Sequence, residues 1–576
     1  MSLHPHRWTR ARLLAGLATL LPLLACGRAC GPKAGTGTAD VPANAVRVVL
    51  SYGSEKKAFL TDSIEAFHRT QPKTKGGRPI RIDAVAEGSA ESMEAILAGR
   101  SEAAVWSPAS SLLVDVLNER WAEAHGGLGA GGRLVDNAPP LLLSPVVIAL
   151  WEPMARALGW PAKPLGWADV GMLATRPDGW AAWGHPEWGD FKFGHTHPRY
   201  SNSGALALVA ATYAGAGKTR ALTAEDVRRA APFVRKVQAG VVHYGRSTGF
   251  FAEKMFTRGP AYLSAAVLYE NLVVESAISP AYRGKPFPVV AVYPREGTFW
   301  SDHPYAILNL PAVTPEVREA AEAFKAYLLT PERQRTAMAR FGFRPADPSI
   351  ALGAPLDAAH GVDPAQPQNV LPNPPVAVTR QILDSFADVK RPVALTFVLD
   401  TSGSMNGAPL QQAKAGARTF LEGLPDGDQV RVMFFANAAH WASPTPQPVA
   451  SARAALVAAV DGAFAQGGTA LYDALLEALR PVPGLRPGSA QAVVVLTDGQ
   501  DTDSQTKLDG LLAALARQGP AGESGGGEGP RIFTIAYGDK ADPDVLQRIA
   551  EAGGGAFFKG TPRDIQSVYA ELATFF

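Results

Sequence analysis

Cysteine is nearly absent: the chain holds two, Cys26 and Cys30, both close to the amino terminus. No disulfide can therefore brace the body of the protein, and packing must stabilise it. Charge of one sign is missing too. Lys and Arg number 55 against 53 Asp and Glu, a formal net charge of +2, which is too weak a field to point to nucleic acid as a partner. Catalytic signatures are also lacking, with no Walker loop, no H-E-x-x-H and no Ser-His-Asp set in a nucleophile context, which argues against an enzyme. The apolar run Leu13 to Ala25 falls short of spanning a hydrocarbon core of about 30 Å as a helix. What is present is an ordinary globular balance over 576 residues, too many for one core, so two to four domains are expected.

Arg7, Arg10 and Arg12 precede the apolar run, which reads as a signal peptide over residues 1–25. It ends Leu23-Leu24-Ala25-Cys26-Gly27, which resembles a bacterial lipobox. The resemblance implies that Cys26 carries a diacylglycerol, so that the protein is extracytoplasmic and anchored in a membrane of the bacterial cell envelope, facing the periplasm or the cell surface. The alternative is an ordinary secretory signal with an incidental cysteine. Residues 26–44, rich in Gly, Ala, Thr and Pro, read as a flexible tether.

From Val46 the pattern alternates strand and helix. Val46 to Leu50, Ile82 to Val85, Ala103 to Trp106 and Pro145 to Trp151 are strand candidates, and Leu60, Ile64 and Phe67 repeat at helical spacing. Thr314-Pro315 and Thr330-Pro331 each place a capping hydroxyl before a proline, the signature of a helix start. Residues 351–390, including Pro364, Pro367, Pro372, Pro374 and Pro375, form a proline-rich connector expected to lie extended over the surface. A second strand and helix alternation follows over 391–576, interrupted by a glycine-rich loop from Gly519 to Pro530 that reads as flexible surface.

In that last region the strand Val393 to Leu399 runs into Asp400-Thr401-Ser402-Gly403-Ser404. Gly467-Gly468-Thr469 opens a helix carrying Leu471, Leu475 and Leu479, and the strand Val493 to Leu496 delivers Thr497-Asp498-Gly499. Loops leaving parallel strands converge at the carboxyl edge of the sheet, where ligands bind. The set resembles the metal-ion-dependent adhesion site of the von Willebrand factor A family, D-x-S-x-S followed by a threonine and an aspartate. The resemblance implies a Rossmann-like doubly wound domain and a divalent cation, Mg²⁺ or else Mn²⁺ or Ca²⁺. Ser402 and Ser404 would ligate directly, Thr469 directly or through water, and Asp400 and Asp498 mostly through water. The open position would take a carboxylate of an acidic protein partner. The bland alternative is that these residues are turns and caps on a metal-free domain. Asp501 and Asp503 read as solvated loop charges, and Asp542-Pro543-Asp544 as a cap for the helix carrying Leu546 and Ile549.

Residues 45–350 resemble the two-lobed periplasmic solute-binding proteins, so the expected fold class is α/β throughout. Candidate pocket residues are Ser51, Gly53 and Ser54 after the first strand, Gly88, Ser89 and Ser107 after later ones, and Ser201, Asn202 and Ser203 at a helix start. Short hydroxyls and backbone amides at helix starts favour anions, although each loop taken singly is ordinary capping. Gln334 and the run from Phe341 to Pro345 look like the closing segment of lobe one. Lobe one is expected to comprise Val46 to about Pro140 and about Val289 to Pro345, with Leu141 to about Pro288 mainly in lobe two. Tyr269 faces the cleft on this reading, and Glu270 either faces it or is a solvated helix charge. His195 and His197 read as polar loop residues rather than a metal pair. Three functions follow: an envelope binding protein gripping an acidic partner through its metal, a receptor delivering a small anionic or polar solute to an ABC permease, or a ligand-free scaffold.

Overall fold

The computed structural model describes residues 44–576, apart from 126–131, 483, 487–488, 518–528, 539, 562–564 and 573–576. The expected signal peptide, Cys26, the expected tether before residue 44 and most of the glycine-rich loop lie outside the described residues.

The first sheet is built on β1 (Val46–Gly53), flanked by β2 (Ile80–Glu87) and β3 (Val105–Ser107), both parallel to it. Val46, Val48 and Leu50 point into a core while Arg47 is exposed, the alternation of a half-buried strand. From Leu50 onward every residue of β1 is buried, and the strand runs through Ser51 and Gly53, where the sequence suggested a turn. These short residues are buried, so the strand continues without needing a solvated end.

The second sheet contains β4 (Leu142–Trp151), β5 (Phe193–Thr196), β6 (Val241–Gly245), β7 (Ala265–Tyr269), β8 (Val289–Val292) and β9 (Trp300–Ser301). The chain then returns to the first sheet as β10 (Ala306–Ile307), antiparallel to β3, and comes back as β11 (Arg344–Pro345). The order β11-β4-β7-β5-β6, with β8 and β9 also on β4, corrects the expected lobe boundary. Val289 to Ser301 belongs to lobe two because β4 offers β8, β9 and β11 antiparallel pairing. Lobe one regains the chain at β10 and keeps the helices Pro315–Leu328 and Pro331–Phe341, whose Ala320, Phe324, Leu328 and Ala337 complete its core. Both helices start as read: Thr314 accepts Val317 N and Thr330 accepts Arg333 N.

The connector departs from a purely extended strap. Leu356, Val362 and Leu371 are buried in the lobe-two core, and the chain then forms the helices Val376–Asp384 and Phe386–Val389. The third sheet follows: β12 (Val393–Asp400), β13 (Gln429–Phe435), β14 (Ala439–Pro448), β15 (Ala490–Thr497), β16 (Arg531–Tyr537) and β17 (Phe557–Gly560). Its order is β14-β13-β12-β15-β16-β17, parallel except for β14. Leu395, Phe397 and Leu399 of β12 face one core and Val398 the other, so the sheet is covered on both sides and the strand reads as one apolar run. Asp542 caps the helix Pro543–Ala552 as expected, accepting Val545 N.

The amino ends of these strands meet lobe two. Lys390 Nζ bonds both carboxylate oxygens of buried Asp428, at 2.8 and 2.9 Å, and Asp428 accepts Val393 N at 3.0 Å. Arg531 Nη1 donates to Val242 O of β6 at 3.0 Å. The carboxyl ends lie at the opposite edge of the third sheet.

Candidate functional site

In the third sheet the winding direction reverses between β12 and β15, and a crevice opens there at the carboxyl edge. Asp400 ends β12, and Asp498 follows β15. Ser402 N donates to Asp400 Oδ1 at 2.7 Å, the Ser402 and Ser404 hydroxyls lie 2.9 Å apart, and Ser404 Oγ donates to Asp498 Oδ1 at 2.6 Å. Thr469 and Ser404 both face Gly499, where a β-carbon would sit 3.5 Å from Thr469 Oγ1 and 3.6 Å from Ser404 Oγ. The five oxygen-bearing residues singled out in the sequence therefore share one small volume. Asp400, Ser402, Thr469 and Asp498 are buried, and Ser404 is the exposed member.

Burial pushes the Asp400 carboxyl up to about 6, although hydrogen bonds from Thr497 Oγ1 and Ser402 oppose the shift. Burial raises Asp498 as well. Two desolvated carboxylates with three hydroxyls make a pocket short of positive charge, and the all-oxygen donor set fits a hard divalent cation. Thr497, given no role in the sequence reading, orients Asp400; its place directly before Asp498 was the available signal. Asp503 is exposed, as read, and accepts Asn437 Nδ2 at 3.0 Å, while Asp501 is partly buried and accepts Ser504 Oγ.

The candidate pocket residues of the front region gather where the lobes meet, but most of their polar groups are taken by the chain itself. At the start of the helix Ser89–Leu97, the amides of Ala90 and Glu91 donate to Tyr200 O of lobe two at 3.1 and 3.0 Å. Ser89 Oγ accepts Ala109 N, and a β-carbon on Gly88 would strike Tyr200 O. Ser54 Oγ contacts Ser247 Oγ and accepts Gly249 N at 2.9 Å, while Gly53 packs on the Glu55 carboxylate. Ser201 and Ser203 share Thr248 Oγ1, and Asn202 Nδ2 donates to Tyr269 OH at 3.0 Å. Ser51 Oγ, Ser107 Oγ and Asn202 Oδ1 are buried without a hydrogen-bond partner.

A charged cluster at this junction escaped the sequence reading. Lys56 Nζ lies 2.6 Å from Glu55 and 3.3 Å from His303 Nδ1, and all three side chains are buried. Burial alone raises the Glu55 carboxyl, but Lys56 and His303 outweigh it and hold it below the usual carboxylate range. No spacing joins His303 to Glu55 in sequence, so only the fold reveals the trio. Tyr269 faces the junction as read. Glu270 does not: it is fully buried, accepting Arg344 Nε and Nη2, each at 2.7 Å. His195 and His197 are buried rather than solvated. His195 bonds Gln238 at 3.1 Å, and His197 packs on Phe386 and Tyr244.

Fold and site together define a two-lobed receptor region joined to a von Willebrand factor type A domain. The family model described as bacterial extracellular solute-binding protein matches residues 48–344, and that for the von Willebrand factor type A domain matches 394–571. The first covers more than half of the chain, which belongs to the bacterial extracellular solute-binding protein family. Among curated relatives, the uncharacterized protein sll0103 of Synechocystis sp. is 28% identical over 29% of this chain and 38% of its own length. Human inter-alpha-trypsin inhibitor heavy chain H4 is 28% identical over 28% of this chain and 18% of its own. The chain thus spans well under half the length of these relatives. Among solved structures, a periplasmic thiamin binding protein aligns over 62% of this chain and 98% of its own, with 13% identity and a TM-score of 0.43. No helix among the described residues is long and apolar enough to cross a membrane.

Proposed function

We propose that this is a lipid-anchored envelope binding protein whose carboxy-terminal domain holds Mg²⁺ and, through it, a carboxylate of an acidic protein partner. The observation that carries this reading is the convergence of Asp400, Ser402, Ser404, Thr469 and Asp498 at the edge of the third sheet away from lobe two. That edge is free to meet another protein, and exposed Ser404 marks the open side. The bound ion would supply a positive centre. The chain's own residues orient it, with Thr497 and the Ser402 amide fixing Asp400 and the Ser404 hydroxyl fixing Asp498. Its role is binding, not catalysis, and its place is extracytoplasmic, with Cys26 carrying the anchor.

Thermal unfolding of the protein with Mg²⁺ or EDTA tests the metal. A ligand held only by the native state at about 100 times its dissociation constant stabilises by about 2.7 kcal/mol, so Mg²⁺ should raise Tm and Asp400→Ala should abolish the rise. An equal rise in the variant would move the ion elsewhere.

A second reading has one specific support. The unpartnered Ser51, Ser107 and Asn202 atoms beside the Glu55, Lys56 and His303 cluster suit a small polar solute between the lobes, delivered to an ABC permease. Calorimetric titration with small oxyanions and polar solutes tests it.

A further inference from the structure

Phe464 is 67% exposed, more than any other large hydrophobic side chain among the described residues. A single surface phenylalanine normally requires no explanation. Its position here does. It stands on the segment that leads from the helix Val449–Gly462 to Thr469, and that segment is pinned to the loop carrying Ser402 and Ser404. Gln466 N donates to Thr401 O at 2.8 Å, and Gly467 O accepts Gly403 N at 2.9 Å. Gly467 has φ of 74°, and a β-carbon there would strike Asn437 Oδ1, so the segment is held in one course. Phe464 lies two residues before Gln466 on this pinned segment, with its ring in solvent.

The surface around Phe464 and the pocket is mostly neutral and polar. Gly403, Asn406, Gly407 and Gln466 are exposed on these two segments, and the charge nearest Gly468 is the exposed Asp503 carboxylate, which accepts Asn437 Nδ2. A group that approaches the open side of the pocket from this flank meets an aromatic ring, neutral polar groups and one carboxylate, Asp503. A carboxylate alone cannot discriminate among acidic proteins, because every one of them offers many. An exposed aromatic on a segment bonded to the charge site's own loop can supply the missing selectivity, since aromatic anchors dominate binding energy where they become desolvated.

We propose that Phe464 is the apolar anchor of the partner interface. The domain then selects a protein segment in which an aspartate or glutamate lies close in sequence to a large apolar residue, the carboxylate going to the cation and the apolar side chain to Phe464. This inference rests on the metal-dependent reading above.

The test is a selection on the immobilised protein, with Mg²⁺, from peptides carrying one fixed aspartate flanked by randomised positions. The wild type should enrich Leu, Ile, Phe or Trp near the aspartate, and Phe464→Ser should weaken binding of the selected peptides by about tenfold or more. The response of the variant's Tm to Mg²⁺ checks that it is folded and metal-competent. Asp400→Ala should bind none of them. Enrichment of acidic peptides with no apolar preference, or undiminished binding by Phe464→Ser, overturns the role of Phe464 and leaves the metal reading standing. Absence of any Mg²⁺-dependent peptide, or equal binding by Asp400→Ala, overturns both.

Discussion

At the scale of single residues, burial decides which charges are structural. Glu270 was ambiguous in sequence because a glutamate at a helix start looks the same whether it faces water or a core. The fold seals it against Arg344 and Tyr293, where its carboxylate is matched by a guanidinium and a phenol. Glu275, a turn and a half further along that helix, has no such match. Burial, with the charge of Glu253 adding to it, pushes its carboxyl from 4.5 up to about 7. A raised folded-state value means that its contribution is fully present below pH 4.5 and is lost as pH rises through 7. Glu275→Gln should therefore remove that loss. At pH 8 the variant should melt about 2 °C or more above the wild type, and at pH 4 the two should coincide, as read by calorimetry. A pH-independent difference would mean that the carboxyl does not titrate in this range.

At the scale of elements, local pattern told much. The hydroxyl and proline pairs at Thr314 and Thr330 start helices as read, because capping is settled within one turn. The helix Val376–Asp384 was missed although Thr379 and Ile382 lie on one buried side; its N-cap is Pro375, which offers no capping hydroxyl. The surrounding prolines made the whole segment look extended. The helix Ser89–Leu97 shows the opposite limit: its start was legible, but its amide donors are spent on Tyr200 O rather than on a ligand. Gly88 permits that approach because it lacks a β-carbon. Gly88→Val should wedge the lobes apart and increase the radius of gyration measured by small-angle scattering. An unchanged radius would show that the lobes close without this contact.

At the scale of the molecule, the rear domain is seated on lobe two through the amino ends of its strands, leaving the opposite edge open. Lys390 and Asp428 form the buried ion pair at this seat, with side-chain exposures of 1% and 2%. Removing one partner strands a charge away from water, so Lys390→Ala should cost about 3–5 kcal/mol, while Lys390→Met paired with Asp428→Leu should recover much of it. Chemical denaturation of the wild type and the two variants measures both steps. A negligible cost for Lys390→Ala would show that water reaches Asp428 and that the seat is loose.

The sequence by itself determined the α/β alternation, the two-part architecture and the five oxygen-bearing residues of the rear domain. Each of those follows from short stretches of chain: a buried strand must be an apolar run, and the loop leaving it must carry the polar groups. Only the tertiary structure decided which polar groups remain available. Tyr200 closes the donors beside Gly88, Arg344 neutralises Glu270, and His303 joins Glu55 and Lys56, all across separations that no periodicity spans. A buried donor, acceptor or charge must find a partner wherever the packed chain provides one, and that choice is made by the whole fold.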